Sequence, residues 1–117
     1  MSALDIVRDV ADLSRLDDQD YPAFTTGQAA ELVGVQEAFL RSLDTADVVR
    51  PQRSAGGHRR YSRRQLTLVA RLREQLDDGH TLAAAARIVG LQDQLADAEN
   101  TITELRAQLG ETDPDGS

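Results

Sequence analysis

Apolar positions along the chain recur mostly at helical spacing, and the breaks between the periodic stretches delimit the elements. Leu4, Val7, Val10 and Ala11 form an apolar stripe in Ser2–Leu16, with Ser2 and Asp5 spaced as a capping box, which predicts an amphipathic helix. The polar run "DDQDYP" ends it, and residues 17–23 read as a linker. Next, Thr25 and Gln28 repeat the capping-box spacing ahead of Ala29, Ala30, Leu32 and Val33, and Gly34 stops this helix. A second short helix runs from Gln36 to Ala46. Ala30, Gly34 and Leu40 have the spacing of a helix-turn-helix: a small residue at the crossing, a glycine at the turn and an apolar anchor beyond it.

The period then changes. "VVRPQR" and "HRRYS" flank "SAGG", where Gly56 and Gly57 are expected to supply the positive dihedrals of a hairpin tip, and Tyr61 suits a strand end with its ring turned inward. A hairpin directly after a helix-turn-helix is a wing. Ser62 can cap a third helix with Leu66, Val69, Ala70, Leu72 and Leu76 as its stripe, closing at Gly79; Thr81 caps a fourth through Val89. Beyond it, Ile88, Leu91, Leu95, Ala98, Ile102, Leu105 and Leu109 alternate at intervals of three and four, an a/d seam over three heptads. The predicted fold is therefore mainly α, a winged helix-turn-helix with a small β-hairpin wing followed by a C-terminal coiled-coil dimerisation helix. The expected organisation is an acidic N-terminal helix and linker over 1–23, the winged domain over 24–90, the coiled-coil helix over 91–109 and a disordered acidic tail over 110–117.

Charge sharpens this picture. The chain of 117 residues has a net charge of −7, yet the sign is partitioned. Residues 1–23 hold six acids and two arginines, residues 24–90 seven acids and ten arginines, and residues 91–117 seven acids and one arginine. From Val48 to Arg73 there are eight arginines and no Asp or Glu, the local footprint expected for a polyanion partner. All thirteen cationic side chains are arginine, the better fork for phosphate.

Composition also excludes. Without cysteine there are no disulfides, thiolate metal sites or cysteine nucleophiles. His58 and His80 lack metal-ligand spacing, and Asp77 with Asp78 has no nucleophile or oxyanion donor beside it, so no enzyme, no metal and no cofactor is expected. No apolar run approaches the roughly 20 residues of a membrane span, and the N-terminus lacks the basic start of a signal peptide, so a cytoplasmic location without membrane contact is expected.

Taken together, "TTGQAAELVGV", "FLRSLDTADVVRPQR", "GGHRRYS" and "LREQLDDGHTLAAAARIV" resemble the winged-helix DNA-binding domain of the MerR family of bacterial transcription regulators, from Thr25 to Val89. The Gly-x-Arg-x-Tyr of the wing and the Gly-x-Thr-Leu between the last two helices are the most specific parts. The resemblance implies a homodimer held by an antiparallel coiled coil, bound to an inverted-repeat operator in double-stranded DNA. It also implies a phosphate contact for Arg41 and a contact to a neighbouring phosphate or the minor groove for Arg59. The chain departs from the pattern in having Leu43 where the family usually has tyrosine, and Asp47 where it usually has glycine. After Leu109 too little chain follows to build a ligand pocket, so the usual sensory domain is expected to be missing.

Base reading is expected from Gln36, Glu37, Phe39 and Arg41, if Val35, Leu40 and Leu43 face the core. Arg53, Arg60, Arg63 and Arg64 add phosphate affinity, and Thr26, His58 and Tyr61 complete the candidate DNA-binding set, Tyr61 and Phe24 being weighted toward the core. Dimerisation falls to Ile88, Leu91, Leu95, Ala98, Ile102, Leu105 and Leu109. The N-terminal helix is assigned either to packing on the protein itself or to docking RNA polymerase or another protein. Two further readings stay open: an excisionase-like or architectural DNA-binding protein, and a protein-interaction module docking through its acidic ends.

Overall fold

The computed structural model describes residues 18–110; the N-terminal helix expected before Asp18 and the tail after Gly110 lie outside the described residues. In chain order the elements are β1 (Phe24–Thr25), α1 (Thr26–Val33), α2 (Glu37–Thr45), β2 (Gln52–Arg53), β3 (Arg59–Tyr61), α3 (Arg63–Asp77) and α4 (Leu82–Gln108). They fall into two compact units that divide after Glu74, within α3.

The first unit is built on capping chemistry that the sequence spells out. The Thr25 hydroxyl accepts from the Gln28 amide at 3.1 Å while the Gln28 side chain accepts from the Thr25 amide at 2.9 Å, so two amides that the helix cannot pair are satisfied at the start of α1. Gly34 ends α1 at φ 79°, a left-handed conformation that costs glycine nothing, and its amide donates to the Ala30 carbonyl. Gln36 then opens α2 without a side-chain cap. The same reciprocal box recurs at α3, where Ser62 and Gln65 exchange bonds at 3.2 and 3.0 Å. The Gln65 amide nitrogen also donates to the Arg50 carbonyl at 2.7 Å, tying α3 to the entry of the wing.

The sheet has three strands in the order β1-β3-β2, all antiparallel. Two of them form the expected wing. The third, β1, pairs Phe24 with Tyr61 and Thr25 with Arg60, and a two-residue strand leaves no period-2 signature to read. The tip differs in one detail from expectation: Gly57 alone takes positive φ, 83°, and Gly56 does not. Ser54 closes the tip instead, exchanging backbone bonds with His58 and Gly57 and accepting from the His58 amide through its hydroxyl.

Ala29, Ala30, Leu40, Leu43, Val49, Tyr61, Val69 and Leu72 make the core of this unit, and the helix-turn-helix anchors Ala30 and Leu40 are among them. Leu43, which stands where the resemblance expects tyrosine, is fully buried, so it packs rather than contacts a ligand. Asp47, standing where glycine is usual, adopts φ 59°: the turn after α2 keeps its left-handed geometry although the residue has a Cβ. Ala70, assigned to the buried stripe of α3, is exposed.

The second unit is mostly α4. Thr81 caps it through a 3.1 Å bond from the Ala84 amide, and Gly79 turns the chain at φ 96°. The helix is continuous from Leu82 to Gln108, so no break falls at the expected boundary between residues 90 and 91. At 1.5 Å per residue it is about 40 Å long. Ala85 and Val89 are buried and Ile88 is half-buried; everything from Gly90 to Gly110 is exposed.

Candidate nucleic-acid interface

α2 and the wing are brought together around a single hollow. Its walls are the first turn of α1 (Thr26, Gly27), the exposed side of α2 (Glu37, Arg41) and the wing (Arg53, Gly57, His58, Arg59, Arg60), and its volume is about 490 Å³. Four guanidiniums and one carboxylate line it, so a solvent-filled surface carries the local positive potential that the charge partition anticipates. Among the described residues Arg41 and Arg60 face no acidic partner within ion-pair distance.

A residue that the sequence reading passed over organises this surface. Asp44, on the wing-facing side of α2, accepts from Arg59 Nε at 2.9 Å and lies 3.6 Å from an Arg53 terminal nitrogen. Its side chain is only 17% exposed, against 27% for Arg59 and 52% for Arg53, so the Arg59 pair is partly withdrawn from solvent screening and the Arg53 pair much less so. Arg53 also donates to the Gly57 carbonyl at 3.2 Å, which stiffens the tip. One carboxylate thus clips both wing strands to α2. No spacing rule could have found it, because Asp44 and Arg59 are fifteen residues apart and meet only once the wing folds back.

Tyr61, among the candidate DNA contacts but weighted toward the core, has a fully buried side chain, and its backbone lies opposite Phe24 in the β1–β3 pair. Its hydroxyl is buried without a hydrogen bond of good geometry among the described residues, although Thr26 and Arg59 lie near enough to act on it. Burial raises its pKa above the ordinary tyrosine value, the Arg59 charge opposing that rise and Asp44 adding to it. Phe39 is half-buried, with the Arg73 guanidinium 5.8 Å from its ring centroid, a cation–π distance that holds the ring at the edge of α2. Gln36 and Glu37 are exposed at the start of α2, where base-reading side chains would have to be.

Arg63 and Arg64 stand elsewhere. Arg64 Nε bonds Asp20 at 2.7 Å and the Arg64 amide donates to the Gln19 carbonyl at 3.0 Å, so this arginine fastens the linker to α3. Arg63 lines a separate, apolar groove. No group of three His, Cys, Asp or Glu able to hold a metal occurs among the described residues. No described helix is long and apolar enough to cross a membrane.

Comparison with known proteins agrees with this geometry. The profile of the MerR HTH family regulatory protein matches residues 24–91. A Streptomyces coelicolor protein designated heat shock protein HspR is 36% identical over 92 residues, covering 78% of this chain; the chain spans 61% of that relative's length. A MerR-family transcriptional regulator from Bacillus cereus has a similar fold (TM-score 0.54, 16% identity, 77% of this chain and 84% of that one). So does HiNmlR, a MerR family regulator lacking the sensor domain, solved bound to promoter DNA (TM-score 0.53, 25% identity, 74% of this chain and 73% of that one). With more than half of its length matched and the winged helix-turn-helix in place, the chain belongs to the MerR family of helix-turn-helix transcription regulators, a family of regulatory proteins rather than enzymes.

Proposed function

We propose that this protein binds an inverted-repeat operator in double-stranded DNA as a homodimer, each chain reading one half-site. α2 enters the major groove, with Gln36, Glu37 and Phe39 toward the base edges, while Arg41 and the wing arginines Arg53, Arg59 and Arg60 hold the flanking phosphates, with Thr26 and His58 at the rim. The observation that carries this reading is the convergence of those four arginines on one hollow beside the exposed start of α2. Asp44 accounts for the placing of Arg59 and Arg53, whereas Arg41 and Arg60 come from different segments and have no acidic partner among the described residues, and a DNA complex of a relative with this fold supports the assignment.

Dimerisation rests on α4. Leu91, Leu95, Ile102, Leu105 and Leu109 are 49–78% exposed, in register with Ala98 and Ile88, and an apolar seam of this length needs a second helix to cover it. The antiparallel arrangement is the one that the family resemblance implies, and the site of action is the cytoplasm, where operator DNA is reached.

Fluorescence anisotropy with a labelled duplex tests the phosphate assignment. Arg41→Ala and Arg59→Ala each lower affinity for specific and nonspecific duplexes alike, and each flattens the slope of log affinity against log salt by about 0.9. An unchanged slope in both variants removes these arginines from the DNA backbone.

A further inference from the structure

The first unit carries an apolar groove whose lining is distinct from that of the arginine hollow. Phe24, Leu32, Val33, Leu66 and Ala70 line it, with Gln19 at one edge and Arg63 as its charged group. Leu32 in its lining is 65% exposed, and a second depression over Gln28 and Glu31 shares both Phe24 and Leu32 with it. The groove and the hollow have no lining residue in common.

We infer that this groove is the docking site of the chain's own N-terminal segment, residues 1–17, seated through Leu4, Val7, Val10 and Ala11. Three observations select this occupant. The first is continuity: Gln19 lines the groove itself, and the Arg64 bonds to the Gln19 carbonyl and the Asp20 carboxylate hold the chain there, so the segment starts from the groove's edge. The second is pattern, since the segment's apolar residues fall at helical spacing and match a groove bounded by leucine, valine and phenylalanine. The third is sign. Residues 1–17 hold four aspartates and two arginines, and Arg63 at the groove has no acidic partner within ion-pair distance among the described residues.

Tethering makes even weak docking effective. Ala11 is about eight residue steps from Gln19, a reach of at most ~28 Å, which is enough to bring the segment onto the groove. A short tether gives a local concentration of about 1 mM, at which a docking with an intrinsic Kd of about 100 µM is about nine-tenths occupied. Because the hollow is separate, the docked segment leaves the arginine face open to DNA.

The chain lacks cysteine, so introduced pairs report proximity without background. Leu32→Cys is combined, in the full chain, with Leu4→Cys, Val7→Cys or Val10→Cys, and with Asp5→Cys or Asp9→Cys as controls. The expected result is an intrachain disulfide from at least one apolar position, formed about tenfold faster than in either control. Equal rates at apolar and control positions overturn the inference, and a disulfide joining two chains overturns it by giving the groove to a second copy. Hydrogen exchange supplies a readout independent of the cysteines. Val7→Glu with Val10→Glu leaves every groove residue intact and should lower amide protection across Phe24–Val33 and residues 63–70 about fivefold, with α4 unaffected; unchanged protection there also overturns it.

Discussion

Replacing Asp44 by asparagine should move stability and DNA affinity in opposite directions. The substitution keeps the shape and an acceptor oxygen but removes the charge that holds Arg59 at 2.9 Å and Arg53 at 3.6 Å. A hydrogen bond to a charged group contributes about 1.5–3 kcal/mol. Asparagine retains part of it, and the half-exposed Arg53 contributes at most ~1 kcal/mol on its own, so the expected loss is about 1–2 kcal/mol. In a domain of this size that is a fall in Tm of very roughly 5–15 °C, read by circular dichroism. Affinity gains because one negative charge leaves the face that meets phosphate. At a separation of ~8 Å and an effective dielectric between ~40 and ~80, the relieved repulsion is about 0.5–1 kcal/mol, a two- to sixfold tighter Kd for a nonspecific duplex at low salt. The gain should shrink as salt is raised. A variant that melts with the wild type refutes the clip, and one that binds nonspecific DNA more weakly refutes the charge argument.

Tyr61→Phe should leave stability unchanged or slightly raised, because it removes a buried hydroxyl that lacks a good hydrogen bond; a loss above about 1 kcal/mol in a denaturant melt would show that Thr26 does satisfy it. The raised Tyr61 pKa means that the folded state holds this proton more tightly than the unfolded one, so its contribution is intact below the ordinary tyrosine pKa and is lost as pH rises above it; melts through pH 9–11 should show that alkaline loss in wild type and less of it in Tyr61→Phe. Asp47→Gly should be neutral or stabilising by up to about 1 kcal/mol, since φ 59° suits glycine and the Arg50–Asp47 pair is too exposed to matter, whereas Asp47→Val should cost more than about 1 kcal/mol; equal midpoints for the two variants would count against the strained turn. Leu95→Glu with Leu105→Glu should turn a dimer into monomers by light scattering, each core leucine of such a seam being worth about 2–5 kcal/mol against alanine, and a variant that stayed dimeric would locate the interface elsewhere.

Local chemistry made most of the fold legible. Thr25 with Gln28, Ser62, Thr81 and the glycines at 34 and 79 act through bonds and dihedrals within a few residues, and each does in the structure what its place in the sequence implies. What escaped depends on distant partners. Strand β1 exists because Tyr61 comes back beside Phe24, and Asp44 gains its role only when the wing returns to α2. The same limit applies to Arg63 and Arg64. By charge alone they belong with the other arginines, yet the start of α3 turns them toward the linker and the apolar groove. Asp47 shows the converse case, a backbone geometry maintained by its surroundings against the preference of the residue that occupies it.

The most direct test of the central claim is selection of tight-binding duplexes from a random library by the purified protein, with the recovered sites read by sequencing. The account predicts enrichment of a motif with two half-sites in inverted orientation, spaced by about one helical turn or a near multiple of it, since two copies of α2 must meet the same face of the duplex. Recovery of an isolated half-site, of direct repeats only, or of no enriched sequence would contradict it.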